Sequence, residues 1–320
     1  MKLSAIKPIA RLLLKELLIT LLLLLGVSFT VFMIIYLSPG DPFSLLLQGQ
    51  TASGSAAAGM REALGMPMAW YSQYLSWVGN MMRGNFGSSI RTGLPVLKEV
   101  IRTGINTLYL TVGSMIVTLL IAVPIALFSA RHGMNIPNWS MTIFAYVVSA
   151  LPVFWLGYLV IYIFMHKFGL FPIAFGFSGT QKLNWLYFLL PVFVLGIGNG
   201  TMSEIVRFLR EEISRVFSEE YIRTAMAKGA SVWKHSFKEG FLIPITEIIA
   251  SKIPFILGGA VVVEQVFNWP GMGRMAWQAA QDRDFPLIMG ITIVAALFVR
   301  SGSLLQKSVY IMVNPRASQE

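Results

Sequence analysis

The chain has 320 residues, of which 55% are hydrophobic and only 12% are charged, too few charges to cover a soluble protein of this length. This composition predicts an integral membrane protein, and its long apolar runs predict an all-α one. Its net charge of +10 comes mostly from basic residues near the ends of apolar runs, which is typical of membrane topology and not of nucleic-acid binding.

The first predicted membrane helix covers residues 17–37, an uncharged run long enough to cross a hydrocarbon core of about 30 Å. Residues 1–16 carry four basic residues, and the positive-inside rule places them in the cytoplasm. A cleaved signal peptide is the alternative. The apolar run is too long for one, however, and no small-residue cleavage site follows it.

Residues 38–105 are predicted to form the longest aqueous region, on the external side of the membrane. YLSPGDP at residues 36–42 contains two prolines and a glycine, which end the first membrane helix. Tyrosines and tryptophans along residues 64–96 are typical of a membrane interface, and glycine-rich turns follow them. These features predict a folded external segment.

Three further apolar runs predict membrane helices at residues 106–130, 140–165 and 185–206. The last of these runs contains several glycines, which predict close approach of a neighbouring helix.

The sequence SALPVFWLG places a proline within the third predicted membrane helix. Proline bends a helix and frees a carbonyl group, which is tolerated where neighbours or water satisfy it. Pro152, Phe154 and Trp155 are therefore candidate gate or pathway residues, together with Glu264 in the fifth membrane helix. Simple adaptation of helix packing is the alternative explanation of the proline.

The charged segment at residues 207–244 is predicted to face the cytoplasm, because it carries seven basic residues. Ser218 is suited to cap a short helix whose first turn carries Glu219 and Glu220, where the helix dipole favours negative charge. Gly229 is suited to end that helix.

The short helix has the composition of a docking surface. Ala225, Ala227 and Gly229 are small enough for a partner to approach the backbone, whereas Tyr221, Ile222 and Met226 offer apolar contact. An amphipathic helix in the lipid headgroup layer is the alternative.

The fifth predicted membrane helix, residues 245–267, is unusual because it contains Glu247 and Lys252 as well as Glu264. The sequence alone assigns no role to these two further charges. Three elements complete the chain: an external turn at 268–285, a sixth membrane helix at 286–312 and a cytoplasmic tail at 313–320.

EYIRTAMAKG, residues 220–229, resembles the cytoplasmic coupling loop of ABC importer permeases, specifically the dipeptide, oligopeptide and nickel branch. YLSPGDP, the passage at residues 64–96, FNWPGMGRM and RDFP resemble the same family, in the same order. One departure is KHSFKEGFL, which replaces a run like RHALRNAL in the branch. The positions that match the loop are Glu220, Tyr221, Arg223, Thr224, Ala225, Ala227, Lys228 and Gly229.

The resemblance implies a type I ABC importer permease fold with six membrane helices and both termini in the cytoplasm. It also implies a second homologous permease, two ATPase subunits that use ATP-Mg, and an external solute-binding protein. The setting would be the cytoplasmic membrane of a prokaryote, with lipid as the remaining partner and no nucleic acid.

The chain itself is expected to be neither an enzyme nor a cofactor-binding protein. It contains no GxxxxGK[ST] phosphate loop, and its three histidines lie in different segments, so no ATP or metal site is expected. Peptides are the expected substrate, and nickel or another small solute is the alternative. A membrane scaffold or regulator that transports nothing is the alternative from another class.

Near the end of the sixth helix, Arg300, Ser303 and Lys307 recur at helical spacing and share one face. A charge at the bilayer centre costs about 2.5–3.5 kcal/mol on insertion scales, so Arg300 must reach water or a partner. It either snorkels to the headgroups or pairs with a carboxylate of the companion permease. Related permeases usually carry an apolar residue and an aspartate at the first and last of these positions.

Overall fold

The computed structural model describes residues 6–37, 70–132, 136–168, 185–198 and 200–313. This part of the chain is helical apart from turns and one isolated antiparallel bridge between Ser88 and Pro95, which confirms the all-α class. Residues 38–69 of the predicted external region and 314–320 of the predicted tail lie outside it. The elements are α1 (Ile6–Leu37), α2 (Trp70–Met82), α3 (Val96–His132), α4 (Ile136–Ala150), α5 (Val153–Phe168), α6 (Trp185–Ile197), α7 (Thr201–Ser218), α8 (Glu220–Ala227), α9 (Val232–Phe237), a π-helical segment (Lys238–Leu242), α10 (Ile243–Val266), α11 (Met272–Gln281) and α12 (Phe285–Val313).

The chain divides into two compact units. The first consists of Met1–Gly104 and Met275–Phe298, and the second of Ile105–Arg274 and Val299–Glu320. The charged segment at residues 207–244, called the candidate coupling segment below, and the predicted fifth membrane helix belong to the second unit.

Among the described residues, three helical stretches are long and apolar enough to cross a membrane. They are Lys15–Leu37, Val96–Ala130 and Phe285–Leu304. Two bent helix pairs meet the same criterion together, which raises the number of candidate spans to five. Helix α10 coincides with the predicted fifth membrane helix, but it is not among these five.

Helix α3 begins at Val96, before the predicted start of the second membrane helix at residue 106. Val96 and Val100 are fully buried, and a side chain at Gly290 of α12 would collide with Val96. Burial against α12 therefore extends the helix beyond its uncharged run. Glu99 in the first turn adds a favourable interaction with the helix dipole.

The third predicted membrane helix is divided at Leu151 and Pro152 into α4 and α5, which differ in direction by 102°. Proline has no amide hydrogen to donate, so the break at this residue is physically expected. The change of direction is much larger than the bend that the sequence predicted.

The fourth predicted membrane helix is likewise divided, with 53° between α6 and α7. Gly200, between the two helices, has φ of 74°, a left-handed conformation that glycine adopts without strain. Helix α7 then continues to Ser218, well past the predicted boundary at residue 206.

Helices α3 and α6 approach closely through small residues. A side chain at Gly196 would meet the carbonyl oxygen of Ser114, and the hydroxyl of Thr118 donates to the carbonyl oxygen of Gly196 at 2.6 Å. The small-residue contact that the sequence predicted for this helix is therefore present.

Three helices end in the same hydrogen-bonded turn, with a left-handed residue just after the helix. That residue is Gly229 after α8, Asn268 after α10 and Arg283 after α11, with φ of 72°, 54° and 52°. In each turn the next amide donates back to the helix, as from Ala230 to Ala225 and from Trp269 to Glu264. Each of these helices therefore ends at a defined residue, and the chain changes direction directly after it.

Candidate functional site

The candidate coupling segment begins with a break between α7 and α8. Glu219 is extended, with φ of −66° and ψ of 145°, and it makes no side-chain capping bond. The expected cap at Ser218 is wrong, because α7 continues through this residue and its hydroxyl donates to the carbonyl oxygen of Arg215 at 2.6 Å. Glu220 does lie in the first turn of α8, as the sequence predicted.

Gly229 ends α8 as the sequence predicted. Its amide donates to the carbonyl oxygen of Met226 at 2.9 Å, and the amide of Ala230 donates to that of Ala225 at 2.9 Å. Apart from the adjoining residues, no atom lies within 4 Å of a Cβ built at Gly229, so the left-handed backbone, and not lack of space, requires glycine here. The hydroxyl of Ser231 then accepts the amide of Lys234 at the start of α9.

Helix α8, which has eight residues, presents two different faces. Ile222 and Ala225 are buried within the chain, so neither is available to a partner as the sequence had suggested. Tyr221 and Met226 are 40% and 50% exposed. Besides Tyr221, the exposed positions that match the coupling loop are Glu220, Arg223, Thr224, Ala227, Lys228 and Gly229.

Residues that follow α8 in the chain contact it or pack near it. The phenol of Tyr221 donates to Glu239 Oε2 at 3.1 Å. Partial burial raises the pKa of Tyr221, and the hydrogen bond to Glu239 raises it further, so the phenol keeps its proton. Trp233, Phe237 and Phe241 form an aromatic cluster beside it, with ring centroids 5.5–5.9 Å apart.

Lys252 of α10 forms an ion pair with Glu204 of α7. The lysine side chain is largely buried, whereas the glutamate is about half exposed. The pair joins α7, the helix before α8, to α10, the helix that follows the π-helical segment. A charge that the sequence left without a role thus has a partner, whereas Glu247 on α10 is exposed.

We expect Lys252→Glu to destabilise the protein by about 1–3 kcal/mol, because it places two carboxylates together at a partly buried site. Thermal unfolding of the purified protein measures the loss. The double variant Glu204→Lys, Lys252→Glu should recover most of it, and Glu247→Lys is the matched control on the same helix. No recovery in the double variant would show that the ion pair is not the stabilising contact.

The candidate gate residues occupy the start of α5. Pro152 lies at the break, and Phe154 and Trp155 follow it on exposed positions. Gly157 lies against Val266 of α10, with 2.9 Å from a built Cβ to the valine Cγ1. Trp155, two residues before Gly157, therefore lies on the side of α5 away from this contact.

Glu264, the fourth candidate, is fully buried at the end of α10 and organises the turn after it. Its carboxylate accepts the Thr107 hydroxyl at 2.6 Å and the Arg274 amide at 2.8 Å. Side chains at Gly271 or Gly273 would collide with or crowd this carboxylate. The glycines of FNWPGMGRM are thus explained by close approach to Glu264, which is an acceptor for the turn and does not line an exposed surface.

Asp284, in the first unit, is a second buried carboxylate, one that sequence reasoning missed. It accepts the Ser89 hydroxyl at 2.5 Å and the amide of Leu287 at 3.2 Å, which caps α12. Arg91 adds a backbone bond to Asp284 and a side-chain ion pair with Asp282 at 2.7 Å. The RDFP sequence, which contains Asp284, was noted only as part of the family resemblance. The partner of Asp284, Ser89, is 195 positions away in the chain, so the sequence did not indicate the contact.

Arg300 and Ser303 are half-buried and Lys307 is exposed on α12, as expected for one helix face. The Ser303 hydroxyl donates to the carbonyl oxygen of Val299 at 3.2 Å. Within the described residues, no group of three or more His, Cys, Asp or Glu side chains is arranged to hold a metal ion.

Comparisons with known proteins cover almost the whole chain. The family described as "Binding-protein-dependent transport system inner membrane component" matches residues 122–319, and the N-terminal family associated with it matches residues 9–122. The oligopeptide transport system permease protein AppB of Bacillus subtilis is 34% identical over 306 residues, 92% of this chain and 95% of that protein.

Two other relatives match over a similar extent. A probable peptide ABC transporter permease protein, y4tP of Sinorhizobium fredii, is 31% identical over 95% of this chain and 97% of its own length. The glutathione transport system permease protein GsiC of Salmonella typhimurium is 33% identical over 94% of this chain and 97% of its own length. Because the family matches run from residue 9 to residue 319, the protein belongs to the family of inner membrane components of binding-protein-dependent transport systems.

Proposed function

We propose that this chain forms half of the translocation pathway of an ATP-driven peptide importer, and that α8 couples it to a separate ATPase. The observation that carries the proposal is the exposed face of α8, a short helix fixed between two abrupt turns and supported by buried Ile222 and Ala225. Its small and polar side chains suit a protein groove better than a lipid surface, which would require a broader apolar face.

The proposed assembly contains a second, homologous permease, two ATPase subunits that bind ATP-Mg, and a solute-binding protein on the external side. ATP-driven closure of the ATPases moves α8 and, through the adjoining chain, α7. The Lys252–Glu204 pair links α7 to α10, so these two helices move together. The permease then shifts between outward-open and inward-open states, with ATP binding favouring one of them.

Peptides are the proposed substrate class. The support is chemical and comparative: no metal-holding group occurs among the described residues, and the relatives named above are oligopeptide, peptide and glutathione permeases. Uptake by the complete complex in proteoliposomes tests this, with radiolabelled di- and tripeptides and nickel compared under ATP turnover. Uptake of nickel without uptake of peptides would show that nickel, and not peptide, is the substrate. No uptake of any of these solutes would favour the alternative of a membrane scaffold that transports nothing.

The proposed topology places residue 88 outside and residue 218 in the cytoplasm. Both serines are exposed, and the chain has no native cysteine, so Ser88→Cys and Ser218→Cys provide clean labelling sites. We expect an impermeant maleimide to label only the Ser88→Cys variant in spheroplasts, and both variants after detergent treatment. Labelling of Ser218→Cys in sealed spheroplasts would contradict a cytoplasmic coupling segment.

The Arg300, Ser303 and Lys307 face of α12 is proposed to contact the companion permease. If Arg300 pairs with a carboxylate there, Arg300→Leu with Lys307→Asp should reduce recovery of the companion on copurification. Unchanged recovery would support snorkelling of Arg300 to the headgroups instead.

A further inference from the structure

One face of α5 carries large aromatic side chains with polar atoms. Trp155, Tyr158 and Tyr162 are 47%, 60% and 58% exposed, and His166 is also exposed. Their spacing of three or four residues places them on one side of the helix. The rings of Tyr162 and His166 stack with centroids 4.2 Å apart, which continues the face to the end of α5. These four residues are called the aromatic stripe below.

The opposite face of α5 packs inside the second unit. Val153, Leu156, Gly157 and Ile161 are buried, and Gly157 lies against Val266 and Phe267. Among the described residues, no hydrogen-bond partner is found for the phenols of Tyr158 and Tyr162 or for the indole of Trp155. The aromatic stripe therefore points away from its own unit with its polar atoms available.

Lipid is a poor environment for this stripe. From Trp155 to His166 the helix rises about 16 Å, roughly half of a 30 Å hydrocarbon core. Aromatic belts belong to the two membrane interfaces, whereas this stripe extends too far along the helix to lie within one interface. Hydroxyl groups without partners in hydrocarbon would be costly, so a water-filled cavity suits the stripe better.

We propose that the aromatic stripe lines the translocation pathway and binds the peptide in transit. This rests on the proposed function and extends the candidate pathway from Trp155 to Tyr158, Tyr162 and His166. The tyrosine hydroxyls both donate and accept hydrogen bonds, which matches the amide groups shared by all peptides. The ring faces attract ammonium groups and stack with aromatic side chains, so binding tolerates many sequences.

Single cysteines in the cysteine-free chain test the proposal in the complete complex, reconstituted in nanodiscs. We expect Tyr158→Cys and Tyr162→Cys to react with a charged, water-soluble methanethiosulfonate at least about tenfold faster than Ile161→Cys, because Ile161 is buried on the same helix. A casein peptide mixture added during ATP turnover should slow the reaction at positions 158 and 162 alone.

Three results would overturn the proposal. Equally slow reaction at positions 158, 161 and 162 would place the stripe in lipid. Oxidative cross-linking of Tyr158→Cys to the companion permease, without reaction with the reagent, would make it a subunit interface. Fast reaction without protection by peptides would make it a water-exposed wall that does not bind substrate.

A kinetic comparison supplies an independent arm. We expect Tyr162→Leu to raise the KM for peptide uptake about three- to tenfold, the scale of one aromatic contact, and Tyr162→Phe to raise it less. An unchanged KM in Tyr162→Leu would contradict binding. If the unmodified complex imports no peptide, the proposed function fails, whereas the labelling still shows whether the stripe faces water.

Discussion

We expect Glu264→Ala to abolish accumulation of folded permease. The substitution leaves the Thr107 hydroxyl and the Arg274 amide without their buried acceptor and opens a cavity beneath Gly271 and Gly273. The combined cost, about 3–5 kcal/mol, is a large part of the stability of a typical domain. Size-exclusion profiles and thermal unfolding of a fluorescent fusion measure the result.

A second variant tests whether the close packing of the turn around Glu264 is needed, separately from the carboxylate itself. Gly271→Ala keeps every hydrogen-bonding group but places a methyl group where the Glu264 carboxylate lies, so it should also destabilise the protein. Glu247→Ala, on an exposed position of the same helix, is the control and should have little effect. A Glu264→Ala protein that folds normally but does not transport would instead identify Glu264 as a pathway residue.

Ala227→Trp is expected to reduce transport and substrate-stimulated ATP hydrolysis at least about tenfold, the factor that corresponds to 1.4 kcal/mol of lost contact energy. Ala227 is exposed on α8, and an indole there would separate the two docking surfaces. Because the side chain makes no buried contact, insertion and thermal stability should remain those of the unmodified protein. Reconstituted complexes provide both measurements.

Ala227→Ser is the matched control, since the side chain stays small, and it should retain transport. Ala225→Trp is informative for the opposite reason. Ala225 is buried, so its replacement should lower stability before it affects coupling. Normal transport by Ala227→Trp would mean that the exposed face of α8 contacts only solvent or lipid headgroups.

Features that depend on neighbouring residues were predictable from the sequence. The left-handed turn after α8 follows from Gly229, because glycine adopts positive φ without steric cost. Pro152 indicated a bend, though not one of 102°, because proline removes an amide donor. The uncharged run at residues 17–37 indicated a membrane helix by its length alone. The family resemblance also rested on local runs such as EYIRTAMAKG.

Other features were decided by tertiary structure, because they depend on residues far apart in the chain. Glu264 meets Thr107 across 157 positions and Asp284 meets Ser89 across 195, distances over which local sequence carries no pairing information. Lys252 had no apparent role until α7 brought Glu204 beside it. Composition likewise made Ala225 and Ala227 equivalent, and only the packing of α8 against its neighbours buried one and exposed the other.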